Sequence, residues 1–302
     1  MKSGLCAYVY ALKEAPSFFE IKALNYVNAL EKASKLGFKG VGGIIRTKDM
    51  DDASITRLRE TAESASIEIA EFITMVGDDR LSDKKKEVRE AGIKFFRDSA
   101  RMASELGAKI INTQSQTPFP YEREPSEIWG EAIIKVNVPY NLDWNKIWER
   151  YVEAVGKCAD IAHEERLLWA IEPHPFQTVD NTNMALKIME DVGSNALGVC
   201  FDTAQSLISA ELPSISIYKL RNHIFHTHIS DNLGSLFSPR HLTPGRGRIG
   251  WDEVLKALKA VGYDYFLTLE ISDEPLEMLD EVHIKGMTFL REVAEKQGIK
   301  IE

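Results

Sequence analysis

Four apolar, strand-like runs in the second half of the chain each end in a side chain that binds divalent cations well. They read LLWAIEPHP, LGVCFDTAQ, HIFHTHISDN and YFLTLEIS, and the ligand-type residues are Glu172, Asp202, His228 and Glu270. A carboxylate that ends an apolar run is costly to bury unless it is paired or bound to a metal. Any one of the four has a plain alternative: it caps the next helix or pairs with a nearby arginine. Four on successive units are harder to explain that way. Three carboxylates and one imidazole form an oxygen-rich set. That set suits Mn(II), Mg(II) or Co(II) better than structural zinc, although zinc remains open. His226 alternates with His228 on one face of the same strand and lies one layer deeper, where it could support the ligand. His163 and His283 fall in helical patterns and are assigned to the surface.

The elements that must position these residues alternate along the whole chain. The 302 residues are 44% hydrophobic and 27% charged, ordinary for a globular protein, and the length fits one large barrel or two smaller domains. The first unit is LCAYVYA followed by a helix in FEIKALNYVNALEKASKLG. Then come FKGVGGII with a helix from about 51 to 64, IEIAEFITM with a helix from about 83 to 106, and AKIINTQSQ. A long interruption from about 117 to 143 is rich in proline and aromatics. It reads as an ordered lid or oligomer contact, with a short helix near 127–136. A helix at about 144–164 precedes the first ligand-bearing strand; helices at about 181–192 and 251–261, with helical turns either side of Pro213, separate the four; and a helix at about 276–296 closes the chain. Eight βα units predict an α/β fold, a (β/α)8 TIM barrel in one domain spanning 1–302. A doubly wound sheet is the alternative. In the barrel, all four ligand-type residues converge on the C-terminal rim.

The net charge of −9 argues against a protein that grips phosphate backbones, so no nucleic-acid partner is expected. No run approaches the ~20 apolar residues of a membrane span, so no membrane partner is expected. The N-terminus reads as a first strand and not as a signal peptide. Cys6, Cys158 and Cys200 lack any CxxC spacing and read as buried free thiols of a cytoplasmic protein.

The set Glu172, Asp202, His228 and Glu270 resembles the Glu–Asp–His–Glu set of the xylose isomerase-like TIM barrels. Three local signatures carry the resemblance: Ile171-Glu172-Pro173, His228-Ile229-Ser230-Asp231-Asn232, and the turn Pro244-Gly245-Arg246-Gly247-Arg248-Ile249-Gly250 before Trp251. It is clear over 167–272 and only architectural before that. The superfamily includes sugar and sugar phosphate isomerases, ketose epimerases, hydroxypyruvate isomerases, inosose dehydratases and endonuclease IV. The resemblance implies a divalent-metal-dependent isomerase or epimerase of a small sugar or keto-polyol, working in the cytoplasm as a homo-oligomer. Glu172 and Glu270 would pass a proton to and from a metal-stabilised enediolate, and Mn(II) is the favoured ion. A dehydratase on the same scaffold is the alternative.

Other residues are candidates for contact with a polyhydroxy substrate: His174, two positions past Glu172; Gln114 and Gln116, at the end of strand four; Gln205; His241; and Arg248. His174 could equally bond its own loop, and Arg248 could simply pair with a carboxylate. As a dinucleotide fingerprint the GRGRIG string is weak, because it follows a loop and not a strand. Several positions depart from the family pattern. Gln205 stands where a histidine is frequent, Leu233 and Gly234 where ketose epimerases carry an arginine, and Gly42 and Gly43 where strand two often ends in a glutamate. Pro239 occupies the aspartate position of the endonuclease D-x-H motif, which together with Gln205 leaves too few ligands for a three-metal nuclease site.

Overall fold

The computed structural model describes all residues except 16, 18, 19, 76–80, 116, 118, 120, 126–131 and 235–239. Eight parallel strands make a ring: β1 (Lys2–Cys6), β2 (Gly40–Gly42 continued by Ile44–Ile45), β3 (Glu68–Ile69 continued by Glu71–Ile73), β4 (Ile110–Gln114), β5 (Leu168–Glu172), β6 (Leu197–Asp202), β7 (Ile224–Ile229) and β8 (Phe266–Leu269). Each strand pairs in parallel with the next, and β8 returns to β1 from Lys2↔Phe266 to Leu5↔Leu269. β2 and β3 are each interrupted once and pair on both sides of the break, at Gly40↔Glu68 and Ile44↔Phe72. The ring therefore closes, which excludes the doubly wound alternative and leaves the ring itself without a free edge.

Helices separate the strands and cover the ring. The helix Lys86–Leu106 shows why they pack as they do. Ile93, Phe96, Ala100 and Ala103 recur at helical spacing and are buried against the barrel. The Phe96 ring lies 4.7 Å from that of Trp169, and the Trp169 indole donates to Thr113 Oγ1 at 2.9 Å. Truncating either ring would cost about 3–5 kcal/mol. Gly107, at φ 87°, ends this helix in the left-handed conformation expected of a glycine there. Among the described residues no helix is long and apolar enough to cross a membrane. All three cysteines are buried free thiols.

Three local expectations need correction. The first strand stops at Cys6, and Ala7–Leu12 is a short helix. Gly43 explains the change: it breaks β2 at φ 66°, and its carbonyl accepts from the Tyr8 amide at 3.1 Å. The insertion holds an antiparallel pair, Tyr121–Pro125 with Ala132–Val136, so the second half of the helix expected near 127–136 is strand, while 127–131 lie outside the described residues. The run Ile133-Ile134 with Val136 is β-branched, and that preference prevails. His283 is fully buried and not on the surface, with its ring between Tyr10 and Phe38 and Nδ1 against the Leu279 carbonyl at 2.8 Å.

Candidate metal centre

Strand register brings the four ligand-type side chains together. Asp202 is level with His228 across β6 and β7. His228 is level with Thr268 of β8, and Glu270 follows Thr268 by two residues, one step higher on the same face. Glu172 ends β5, level with Gln114 of β4. Each of the four offers a ligand atom, and all these atoms lie within 4.8 Å of one another. All four residues are buried.

His228 Nδ1 sits 3.0 Å from Glu172 Oε1 and 3.2 Å from Glu270 Oε2. Asp202 plays two parts. Its Oδ1 accepts from the Ala204 and Gln205 amides at 2.6 and 2.9 Å, capping the short helix Thr203–Ile208. Its Oδ2 is buried with no hydrogen bond, as is Glu270 Oε2. One oxygen of Asp202 thus caps a helix, as the plain alternative expects, while the other stays available to a ligand. Buried acceptor oxygens without donors are rare in folded proteins and call for a cation or an ordered water. The set fits a divalent ion.

The electrostatics agree. Burial pushes the Asp202 carboxyl up to about 7; His241 opposes this, while Glu270 and Glu172 add to it. Burial also acts to raise Glu172, but His228 and His174 outweigh it and hold that carboxyl well below its ordinary range. Glu270 is lowered likewise, because His241 and His228 together overcome its burial. Three carboxylates thus share this buried cluster with the imidazoles of His228 and His241, and a divalent cation among them would further offset their mutual repulsion.

The other candidates are distributed around this centre. His174 Nε2 is 3.4 Å from Glu172 Oε1. His241 is buried in the cluster, with Nδ1 3.0 Å from Ser230 Oγ, 3.6 Å from Glu270 Oε2 and 3.7 Å from Asp202 Oδ2. Gln205 is buried beside it, with Nε2 3.4 Å from His241 Nε2. Gln114 accepts from Gln177 Nε2 at 3.3 Å, at the rim. Gln116 lies outside the described residues. Arg248 is exposed beside Gly234 and has no carboxylate partner among the described residues; the carboxylate pairing falls instead to Arg246, bound to Glu274 at 2.5 and 2.7 Å. The turn 244–250 is organised by Asp231, which accepts from the amides of Asn232, Gly245 and Ile249 and from the Trp251 indole. Gly247 is required there, because a Cβ would come 2.1 Å from Asp231 Oδ1.

Two residues of the site were missed from sequence. Glu71 in β3 is completely buried and lies 3.0 Å from His228 Nε2. A carboxylate inside the apolar run IEIAEFITM was the available signal. Tyr8 donates to Glu270 Oε1 at 2.5 Å, from the short helix Ala7–Leu12, whose sequence carries a strand pattern.

Comparison with known proteins gives concordant results. The family model described as xylose isomerase-like TIM barrel matches residues 30–293. The uncharacterized protein MJ1311 of Methanocaldococcus jannaschii is 26% identical over 191 residues, 61% of this chain and 58% of that protein, so the match spans a little over half of that relative. Fructoselysine 3-epimerase of Escherichia coli O157:H7 is 28% identical over 81% of this chain and 84% of its own length. Inosose dehydratase of Geobacillus thermodenitrificans is 21% identical over 89% and 90%. Among solved structures, D-psicose 3-epimerase with D-tagatose from Clostridium cellulolyticum H10 superposes with a TM-score of 0.74 at 21% identity, covering 97% of this chain and 99% of that one. The IolI protein with a bound zinc atom gives 0.72 at 20% identity, covering 98% and 99%.

Proposed function

The chain belongs to the xylose isomerase-like TIM barrel family, and from that membership and the geometry of its rim we propose that it is a divalent-metal-dependent isomerase or epimerase of a small sugar or keto-polyol. The observation that carries this reading is the buried convergence of Glu172, Asp202, His228 and Glu270, with two carboxylate oxygens left without donors. These four residues would hold the ion. The set favours Mn(II) and accommodates Mg(II), Co(II) or Zn(II). A bound divalent cation would orient two vicinal oxygens of a hydroxy-ketone and lessen the cost of negative charge beside the carbonyl.

The chain's own residues supply the rest. Glu172 and Glu270 are the proton carriers: one removes the proton next to the substrate carbonyl, and either one returns it. Tyr8, donating to Glu270 Oε1, leaves Oε2 as the oxygen turned to the cluster. Asp202 and His228 hold position. His174, Gln114, Gln116, Gln205 and His241 offer donors and acceptors to substrate hydroxyls, with Arg248 as an outer contact. The exposed apolar run Val138, Tyr140, Leu142 and Trp144 supports a homo-oligomer, and three free thiols fit a reducing, cytoplasmic compartment.

A dehydratase of a keto-polyol is the second reading, supported by likeness to inosose dehydratase over most of the chain. The same proton abstraction would then be followed by loss of water.

Protein loaded with Mn(II) and incubated in D2O with a panel of ketoses and keto-polyols tests both readings. The isomerase reading predicts deuterium at the carbon beside the carbonyl and a product of unchanged composition, both lost in Glu172→Gln and Glu270→Gln. A product lighter by one water selects the dehydratase. Loaded protein that exchanges no proton into any member of the panel contradicts both.

A further inference from the structure

Behind the cluster, on the side away from the rim, a third carboxylate addresses the same imidazole. Glu71 Oε2 lies 3.0 Å from His228 Nε2, the ring nitrogen opposite the one that faces Glu172 and Glu270. Glu71 is itself fixed from two sides. The Gly43 amide donates to Oε2 at 2.9 Å, and Asn112 Nδ2 donates to Oε1 at 2.8 Å. The same Asn112 amide reaches Glu172 Oε2 at 3.3 Å, so a single side chain ties the rear carboxylate to a front one. Glu71 and Asn112 are both fully buried. His226 is next nearest, with Nε2 3.7 Å from Glu71 Oε2, too far for a hydrogen bond. Space for this arrangement comes from Gly42, whose added Cβ would stand 3.1 Å from both Glu71 Oε2 and His226 Nε2.

An ionised carboxylate only accepts hydrogen bonds, so the nitrogen it faces must carry the proton. Both ring nitrogens face carboxylates here, Nδ1 at 3.0 Å from Glu172 Oε1 and Nε2 at 3.0 Å from Glu71 Oε2; a divalent cation bound at Nδ1 would take the place of its proton, and the proton held towards Glu71 on Nε2 would stay. We propose that Glu71 is a positioning residue that holds His228 as the Nε2–H tautomer and fixes its ring, so that Nδ1 presents a lone pair to a divalent cation among Glu172, Asp202 and Glu270. This inference rests on the cation site proposed above. Its physical content is that a ligand's orientation is set by what its other nitrogen bonds, an outer contact whose loss typically costs about 10–100-fold in metal affinity. Nothing in a strand-end pattern announces it, because Glu71 lies within its strand, on the opposite side of the barrel from His228.

Two measurements test it. The first is Zn(II) and Mn(II) affinity, by competition with a chelating indicator, for the wild-type protein and Glu71→Gln. Gln keeps the size of the side chain, but its amide can either accept from or donate to Nε2, so it no longer selects a tautomer. The expected result is one ion per chain in both proteins, with affinity weakened about 10–100-fold in the variant. The second is 15N NMR of the histidine rings in wild-type Zn(II)-loaded protein, where His228 should carry its proton on Nε2 and show the metal-induced shift on Nδ1. Equal affinity of the variant and wild type, or a wild-type ring bound through Nε2, overturns the role of Glu71 and leaves the cation site standing. Wild-type protein that binds no divalent ion overturns the cation site, and this inference with it. The wild-type spectrum decides the tautomer even if Glu71→Gln does not fold.

Discussion

Asp231→Asn replaces one oxygen with an NH2 group in a side chain that is none of the proposed ligands or substrate contacts, and the structure gives its cost. Asp231 is completely buried. Oδ1 accepts from the Asn232 and Ile249 amides at 2.9 and 3.1 Å, and Oδ2 accepts from the Gly245 amide and the Trp251 indole, both at 2.9 Å. Asparagine retains one accepting oxygen, so two donors remain satisfied. The other two would face an NH2 group, donor against donor. Each buried donor left without a partner costs about 1–3 kcal/mol, and the lost charge-assisted character adds to that, for a total of about 4 kcal/mol. Urea unfolding followed by circular dichroism measures it, with the fluorescence of Trp251 and the other tryptophans as a second probe. A destabilisation under about 1 kcal/mol would refute the reasoning, because it would mean that the turn 244–250 does not depend on this carboxylate.

Further consequences concern the core. His283 is buried, and its burial lowers its pKa to about 4, against an ordinary value of 6.5. The unfolded chain therefore binds a proton that the folded chain refuses between those values. Stability from this group is intact above pH 6.5 and is lost as pH falls towards 4, by about 3 kcal/mol in all. In His283→Gln the pH dependence of the unfolding free energy over this window should flatten by that amount relative to wild type; parallel curves would contradict it. Gly43→Ala should destabilise by about 3 kcal/mol or more, since its φ of 66° disfavours a side chain and the new Cβ would come 2.2 Å from Cys6 Sγ. An alanine variant as stable as wild type would show that the break in β2 relaxes freely.

The barrel was readable because its evidence is repeated. The long helices show a 3.6-residue apolar period, and three of the four ligand-bearing strands are apolar runs followed directly by a carboxylate, so many weak signals agree. Glu71 was not readable in the same way. It follows the break between Ile69 and Glu71, where β3 is interrupted opposite Gly43, and the interruption destroys the alternation that would have assigned its side chain to the interior. Tyr8 was hidden by the same feature, because a strand pattern in LCAYVYA runs on past Cys6 with nothing local to stop it. The burial of His283 was available to a closer reading: Leu279, Val282, His283, Gly286, Met287 and Leu290 share one helical face. In the insertion, β-branched residues at 133, 134 and 136 pointed to strand against a helical expectation. Asp202 shows the limit of sequence logic most plainly, since capping and ligand geometry use different oxygens of one carboxylate and no pattern separates them.

The most direct test of the account is the metal content of the purified protein, with and without Glu172→Gln and Glu270→Gln, by elemental mass spectrometry after exposure to Mn(II), Co(II), Mg(II) and Zn(II) in turn. The account predicts one divalent ion per chain in wild type, held less tightly in each variant. Folded wild-type protein that retains none of the four would contradict it, and Glu172, Asp202, His228 and Glu270 would then be strand-end polar groups held by their own hydrogen bonds.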